Sequence, residues 1–280
     1  MKKYPSVHRY SMVKNIFFTT FCIILVFYLS GCSNDTAVNQ PVSLNVFAAA
    51  SLTEAFTELG QAFEAEHADT HVTFNFAGSQ QLAQQINEGA PADVFASANQ
   101  KQMNAALESE RMDADEVQIF AHNRLVVVYP NENPANIQQL QDLANDDLKL
   151  VLADKSVPVG QYSLEFLDKA SQDSEFSTIY KTDVLDNVVS YEVNVKSVLN
   201  KAALGEADAG IVYSSDVIGP NAEKVSRLEI PDELNVVATY PLVALKDSQN
   251  NELAQAFVEF VLSDRGQTIL SEYGLIPVKE

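Results

Sequence analysis

Residues 46–54 read Val46-Phe47-Ala48-Ala49-Ala50-Ser51-Leu52-Thr53-Glu54, an apolar strand that ends in small residues and turns directly into a helix. Ser51 occupies the position of a helix N-cap, and Glu54 follows three residues later, which is the form of a capping box. A helix start carries unpaired backbone N–H groups and the positive end of the helix dipole, so it can also bind an anion. The stretch alone leaves two interpretations of Ser51 open, a helix cap only or a cap beside an anion site.

Alternating strands and helices continue outward from this stretch. Residues 72–76 alternate as a second strand, and Ser79 follows Gly78 at another helix start. The βαβαβ order predicts an α/β protein with parallel sheets. One array ends near Ala121 and a second begins near Leu125. Further on, the pattern predicts helices over 137–143 and 191–203 and two strand-like pieces within 234–245.

The length and charge of the chain limit its function. The 280 residues fit two lobes, and the hydrophobic fraction of 46% predicts a sizeable core. The formal net charge of −20 argues against nucleic acid as a partner, since that needs clustered Lys and Arg. It gives an anionic ligand no long-range attraction either, so an anion would depend on local dipoles.

The N-terminus is typical of an exported lipoprotein. Basic residues precede the apolar run from Ile16 to Leu29, which is short for a membrane span and ends Leu29-Ser30-Gly31-Cys32. This ending resembles the bacterial lipobox, in which cleavage before the cysteine is coupled to its acylation. We therefore predict a signal peptide over 1–31, a lipid anchor at Cys32 and a tether over 32–41. An uncleaved signal anchor is the alternative.

Motifs for enzymes and metal sites are scarce. The sequence has no Gly-x-Ser-x-Gly elbow, P-loop or Gly-x-Gly-x-x-Gly motif. His67 and His71 are four residues apart but lack a further ligand at a known spacing, so a solvated helix end is the simpler interpretation. Tyr213 has no adjacent tyrosine for ferric iron. These absences favour a binding protein over an enzyme.

Small hydroxyl residues at strand-to-helix turns remain as the candidate site. Ser51 and Ser79 follow strands of the first array, and Ser156 is a further candidate in the second. Open α/β sheets bind ligands beyond the carboxyl ends of their strands. A ligand held there without Arg or Lys would be a fully deprotonated oxyanion, which accepts hydrogen bonds only. Because donors must surround such an ion, we expect two lobes that close around it on a hinge.

Several motifs together resemble the molybdate-binding protein family of bacterial molybdate ABC importers. The resemblance covers about residues 42–278 and is carried, in order, by Phe47-Ala48-Ala49-Ala50-Ser51-Leu52, Phe76-Ala77-Gly78-Ser79, Gly89-Ala90-Pro91-Ala92-Asp93-Val94-Phe95-Ala96-Ser97-Ala98, Val157-Pro158-Val159-Gly160-Gln161-Tyr162, Asn194-Val195-Lys196 and Gly210-Ile211-Val212-Tyr213-Ser214-Ser215-Asp216. It implies a two-lobe, type II periplasmic-binding-protein fold, with a mixed, mainly parallel sheet flanked by helices in each lobe. We place lobe 1 at 42–121 plus 238–280 and lobe 2 at 122–237.

The resemblance also implies the ligand contacts. Ser51 and Ser79 would each give a hydroxyl and a backbone N–H, Val159 and Val195 a backbone N–H, and Tyr213 its phenol hydroxyl. Several family members have Ala where Val159 stands, a change that a backbone donor tolerates. Molybdenum would be bound only as the oxyanion, as molybdate or tungstate, with no further cofactor. The implied protein is an extracytoplasmic, lipid-anchored monomer that delivers its ligand to an ABC permease.

Two alternatives stay open at this point. One is a binding protein of the same architecture for sulfate, phosphate or ferric ion. The other is an enzyme or a receptor-type sensor on the same fold. Competition among oxyanions separates the first group, and a base paired to a nucleophile would be needed for an enzyme.

Overall fold

A computed structural model of the chain describes residues 42–218 and 222–278. The predicted signal peptide, the lipidation site Cys32 and the tether lie outside the described residues. Across these two ranges, no helix has the length and apolar character needed to span a membrane.

Eleven strands and eight α-helices make up the described part of the chain. The strands are β1 Val42–Ala49, β2 Thr70–Ala77, β3 Val94–Ala96, β4 Gln118–Asn123, β5 Leu125–Pro130, β6 Leu150–Ala153, β7 Val188–Glu192, β8 Ala209–Tyr213, β9 Val225–Glu229, β10 Ala238–Ala244 and β11 Ile276–Pro277. The helices are α1 Thr53–Glu66, α2 Ser79–Asn87, α3 Gln100–Leu107, α4 Pro158–Ala170, α5 Tyr180–Asp186, α6 Val195–Ala203, α7 Asn251–Leu262 and α8 Asp264–Glu272.

The first lobe is built on a six-stranded sheet of order β11-β4-β10-β3-β1-β2. β1 pairs in parallel with β2 from Val42↔Thr70 to Ala49↔Ala77, and β3 pairs in parallel on its other side. Because β1 and β2 end side by side, the helix starts that follow them share one edge of the sheet. β10 is antiparallel to both β3 and β4.

The second lobe is built on a five-stranded sheet of order β7-β6-β8-β5-β9. β6 is parallel to β7 and β8, whereas β5 is antiparallel to β8 and β9. The chain enters this lobe between Asn123 and Leu125 and leaves it between Glu229 and Ala238. The predicted two-lobe α/β architecture with mixed sheets is confirmed, although parallel pairing covers less of each sheet than the sequence predicts.

Aromatic side chains form the centre of the first lobe. Phe56 of α1 lies with its ring centroid 5.6 Å from that of Phe120 in β4 and 6.2 Å from that of Phe257 in α7. Phe63, two turns along α1, lies 5.2 Å from Phe257. All four rings are buried, and each contributes about 1.5–3 kcal/mol by leaving water. This packing holds α1, and with it the start of the helix beside Ser51, against the sheet.

The helix predicted over 191–203 is wrong in its first part. Residues up to Glu192 form β7, in which Tyr191 pairs with Leu152 of β6. The helix α6 begins only at Val195, because the side chain of Asn194 accepts a hydrogen bond from the Ser197 N–H at 2.9 Å and caps it there. The correction places the start of α6 beside the end of a parallel strand.

Two other predicted elements also differ. In place of a helix over 137–143 there is a short 3₁₀ turn, Leu140–Ala144. The Asn133 side chain accepts from the Ile137 N–H at 2.8 Å and holds the preceding residues in a loop. Within 234–245 there is one strand, β10, since the Leu234 N–H donates to the Pro231 carbonyl in a turn.

Candidate functional site

A small cavity lies between the lobes, at the carboxyl ends of the parallel strands of both sheets. The cavity has a volume of about 10 Å³. It is lined by Ala49, Ala50, Ser51, Gly78, Ser79 and Ala98 of the first lobe and by Val157, Pro158, Val159, Asn194, Val195 and Tyr213 of the second. The structure therefore brings all five sequence-predicted ligand residues to one place. Their contacts with a ligand stay a prediction.

Helix starts supply the backbone donors at this cavity. Ser79 is the first residue of α2 and Val195 the first of α6, while Val159 follows Pro158 at the start of α4. Ser51 is the second residue of a 3₁₀ turn, Ala50–Leu52, that leads into α1. N–H groups at such positions have no acceptor within their own helix, and they lie at the positive end of its dipole. Four chain segments thus direct positive partial charge at the cavity.

No charged side chain lines the cavity among the described residues. Within the same ranges no group of three or more His, Cys, Asp or Glu could hold a metal ion. His71 pairs instead with Glu64 at 3.0 Å on the surface, and the Ser156 hydroxyl donates to Asp154 at 2.7 Å. Ser156, a candidate from sequence, is exposed and not at the cavity, and only its backbone carbonyl lies on the boundary between the lobes.

The prediction of a capping box at Ser51 and Glu54 is wrong. The α-helix begins at Thr53, and the hydroxyl of Ser51 makes no cap hydrogen bond. It lies 3.0 Å from the hydroxyl of Tyr240 in β10, and both are buried. Glu54 binds Lys196 of the second lobe at 2.7 Å. The intervening 3₁₀ turn moves the helix N-cap from Ser51 to Leu52, and Ser51 lines the cavity.

Sequence reasoning missed Tyr240 and Asn123. The Asn123 amide donates to the Tyr240 hydroxyl at 3.3 Å and to Ser215 at 2.7 Å. Neither residue belongs to a recognisable motif, and Tyr240 is 189 positions from Ser51. A polar Asn at the end of an apolar strand, where the lobes meet, was the one signal available.

Tyr213 presents a buried hydroxyl that makes no hydrogen bond of regular geometry within the described part of the chain, although the Tyr240 hydroxyl lies near it. Leaving such a group unpaired costs about 1–3 kcal/mol. Complete burial raises the pKa of Tyr213 well above its ordinary value of 10.0, and the neighbouring Tyr240 raises it further. The phenol therefore keeps its proton, and its hydroxyl can donate a hydrogen bond to a ligand in the cavity that Tyr213 lines.

The ferric-ion alternative needs a revised argument, because the structure does bring tyrosines together. The ring of Tyr213 lies 5.7 Å from that of Tyr240 and 6.5 Å from that of Tyr162. Ferric iron binds tyrosine as the phenolate, yet burial raises the pKa of Tyr162 to about 12 and that of Tyr240 well above 10.0. The three phenols therefore keep their protons in the ligand-free protein, and among the described residues the cavity lining offers no His, Asp or Glu as a further iron ligand.

Beside the cavity, one lysine joins the two lobes. Lys196, which follows Val195 in α6, lies 2.7 Å from Glu54 of the first lobe and 3.2 Å from the fully buried Asp216 of its own lobe. Burial would lower the pKa of Lys196, but Asp216 and Glu54 raise it above its ordinary value. Complete burial raises the pKa of Asp216, and Lys196 limits that rise. The positive charge of Lys196 is therefore paired with two carboxylates, those of Glu54 and Asp216.

Comparison with known proteins identifies the family. Residues 44–276 match the model of the bacterial extracellular solute-binding proteins. This chain belongs to that family, and it is a solute-binding protein and not an enzyme. The type II two-lobe fold implied by the sequence motifs is confirmed.

Three individual proteins show what this chain is similar to within and around that family. The molybdate-binding protein ModA of Mycobacterium tuberculosis is 36% identical over 258 residues, which cover 90% of this chain and 94% of that protein. The putative ABC transporter substrate-binding lipoprotein YvgL of Bacillus subtilis is 27% identical and covers 88% of this chain and 92% of its own. A solved substrate-binding domain of a putative molybdenum ABC transporter from Clostridium difficile is 33% identical, with a TM-score of 0.63 over 85% of this chain and all of that one.

Removing the charge of Lys196 is expected to destabilise the ligand-free protein. Lys196→Met leaves Asp216 buried without its counter-charge, so we expect a loss of about 3 kcal/mol in the free energy of unfolding near pH 8. Urea unfolding measures it. Lys181→Met, which breaks an exposed pair with Asp168, serves as the control and should cost less than about 1 kcal/mol.

The same variant should show a pH dependence of known sign. Without Lys196 the folded-state pKa of Asp216 rises further above its ordinary value of 3.8. Stability from a raised pKa is fully present below the unfolded-state pKa and is lost as pH rises through the folded-state pKa. The deficit against the unmodified protein should therefore shrink from about pH 8 to about pH 5. A deficit that is constant or grows as pH falls would contradict the role given to Asp216.

Proposed function

We propose that this protein binds molybdate, and tungstate as well, between its lobes and delivers it to an ABC importer. The observation that carries the proposal is the cavity lined by hydrogen-bond donors. The buried Tyr213 hydroxyl lies there and can donate to a ligand. The names of the relatives from Mycobacterium tuberculosis and Clostridium difficile support molybdate as the ion. Molybdenum enters only as the oxyanion, and no cofactor is required.

The proposed contacts are those implied by the sequence motifs. The hydroxyls and N–H groups of Ser51 and Ser79, the N–H groups of Val159 and Val195 and the Tyr213 hydroxyl amount to about seven donors. A dianion strengthens each of these hydrogen bonds relative to a neutral acceptor. Preformed dipoles need little rearrangement on binding, so the site can be tight without Lys or Arg at the ion.

Size and protonation would set the selectivity. A cavity shaped for molybdate leaves some donors beyond reach of the smaller sulfate, at a cost of about 1–3 kcal/mol for each unsatisfied group. Phosphate at neutral pH carries a proton. The protonated oxygen is a hydrogen-bond donor, so it would face the donors of the site without an acceptor, which weakens binding.

Isothermal titration of the purified protein tests the ligand. We expect one molybdate or tungstate ion per chain, with sulfate and phosphate much weaker. Ser51→Ala should weaken molybdate binding by about 2 kcal/mol, or about 30-fold, because it removes a donor to a charged acceptor. Ser156→Ala, whose hydroxyl lies away from the cavity, should leave the affinity unchanged. Tight sulfate binding with no molybdate binding would overturn the proposal.

We further propose that ligand binding closes the lobes. Side chains already bridge them, since the Gln80 amide donates to the Val193 carbonyl at 2.9 Å and the Gln102 amide to the Ser156 carbonyl at 2.8 Å. The hinge would comprise the two segments where the chain changes sheets, at Arg124 and between β9 and β10. The lobe boundaries drawn from the sequence, 121/122 and 237/238, stay a prediction.

Gly78 offers a direct test of closure. A Cβ at this position would lie 2.6 Å from the Val193 carbonyl oxygen of the other lobe and 2.5 Å from the Gln80 side chain. Gly78→Ala should therefore hinder closure and weaken molybdate binding about tenfold, since closure costs strain. Small-angle scattering should show less ligand-induced compaction than in the unmodified protein. Gly205→Ala, in open space at a φ of +69°, should affect stability only; equal affinity in both variants would contradict the closure model.

We propose that the protein is held outside the cytoplasm by lipid on Cys32, at the outer face of the cell membrane or on the periplasmic side of the envelope. The lipobox-like sequence supports this anchor, and the likeness to a putative lipoprotein agrees with it. An anchor there would leave residues 33–41 as a tether between the membrane and the binding lobes.

The anchor can be tested by mass spectrometry of the processed protein. Cys32→Ser should lose both the lipid and the cleavage after residue 31, because that cleavage is coupled to acylation of the cysteine. Ser33→Ala, next to it, should be cleaved and lipid-modified like the unmodified protein. Mass spectrometry of the unmodified N-terminus should show a lipid-modified cysteine as the first residue; an unmodified Cys32 would rule the anchor out.

A further inference from the structure

We propose that Tyr240 and Asn123 fix the direction of the Ser51 hydroxyl proton, so that Ser51 meets the oxyanion as a donor only. This inference rests on the proposed oxyanion function and assigns positioning residues to that site. Tyr240 and Asn123 do not line the cavity, and they would act through Ser51.

The orientation of the Asn123 amide is the first step. Its oxygen accepts from the Arg124 backbone N–H at 2.9 Å and from the Ser214 hydroxyl at 3.0 Å. A backbone N–H can only donate, so the atom facing it must be the oxygen. The amide nitrogen therefore faces Tyr240 and Ser215, and it donates to both.

The proton directions along the chain follow from that orientation. The Tyr240 oxygen accepts a hydrogen bond from Asn123 at 3.3 Å, and we infer that the Tyr240 hydroxyl in turn donates to the Ser51 oxygen 3.0 Å away. Ser51 then accepts from Tyr240, and its own proton turns away from the tyrosine toward the cavity it lines. Both Asn123 and Tyr240 are fully buried, so water does not compete for these bonds.

Ser79 shows the same arrangement by a different means. Its oxygen accepts from the Ala98 backbone N–H at 3.0 Å, deep in the first lobe. That N–H cannot reverse, so the Ser79 proton is likewise left for the cavity. Both serines are thus held as donors, Ser79 by the backbone and Ser51 by a side-chain relay that joins the lobes at Asn123.

The relay matters for selectivity. An unrestrained serine hydroxyl can donate to a bare oxyanion or accept from a protonated one. A serine that accepts from Tyr240 through one of its two lone pairs directs its own proton at the cavity, and it therefore meets the proton of hydrogen phosphate poorly. The relay is therefore expected to favour fully deprotonated ions, and its loss should narrow the gap between molybdate and phosphate.

A double-mutant cycle tests the inference. The Kd for molybdate is measured by titration, with and without excess phosphate, for the unmodified protein, Tyr240→Phe, Ser51→Ala and the double variant. We expect Tyr240→Phe to weaken molybdate about tenfold and to make phosphate a better competitor. In the Ser51→Ala background the same change should alter Kd less than about twofold, since the relay acts only through Ser51.

Two further variants separate orientation from packing. Asn123→Asp replaces the donor to Tyr240 by an acceptor and should reverse the relay, with a larger loss of affinity than Tyr240→Phe. Tyr162→Phe removes a hydroxyl from the same buried aromatic group, away from Ser51, and should change Kd less than about twofold. Thermal unfolding without ligand reports the fold of each variant.

The outcomes are distinct from those that test the ligand. If the unmodified protein binds another dianion, the proposed ligand is wrong and the cycle is run with that dianion. Equal effects of Tyr240→Phe with and without the Ser51 hydroxyl, or unchanged competition by phosphate, would overturn the relay whatever the ligand.

Discussion

The parallel pairing of β1 with β2 is the constraint on which the rest of the site depends. Eight residues in register bring both strands to an end at the same edge, so the 3₁₀ turn that holds Ser51 and the helix that starts at Ser79 lie side by side. The second lobe repeats the arrangement at the ends of β6, β7 and β8, which lead to Val159, Val195 and Tyr213. When the two edges face each other, donors surround one small space, as an ion that offers acceptors on every side requires.

Charge is arranged so that the cavity itself stays neutral in its side chains. The chain carries a net charge of −20, and the lysine beside the site is paired with two carboxylates. The attraction for an anion therefore arises from peptide dipoles and hydroxyl groups held by the fold. Such groups discriminate by geometry and protonation more sharply than a free cation would, because each has a fixed direction. The Asn123–Tyr240–Ser51 relay extends this principle from the backbone to a side chain.

Local signals predicted those parts of the structure that are governed by short-range chemistry. Three signals are visible in the sequence, and the corresponding elements are present in the structure: the apolar run of β1, the alternation of residues 72–76 and the small residues before Ser79. The prediction failed at the end of β7, because Tyr191 and Glu192 pair with β6 and do not belong to the following helix. It also failed at residues 137–143, where the Asn133 side chain competes for the backbone. Strands β4 and β9 lacked a strong period and depend on neighbours distant in sequence.

The candidate ligand residues could be named before the structure, since helix starts after small residues and the family motifs carry a sequence signature. The partners that those residues contact in the folded protein could not be named from the sequence. The hydroxyl of Ser51 was expected to cap its own helix, yet it bonds Tyr240, 189 positions away, because β10 lies between β3 and β4 in the sheet. Glu54 likewise leaves the cap and reaches Lys196 across the lobes. The chain sequence determines which groups can donate, whereas the tertiary structure decides which of their protons remain for a ligand, because the competing partners come from strands that only folding brings together.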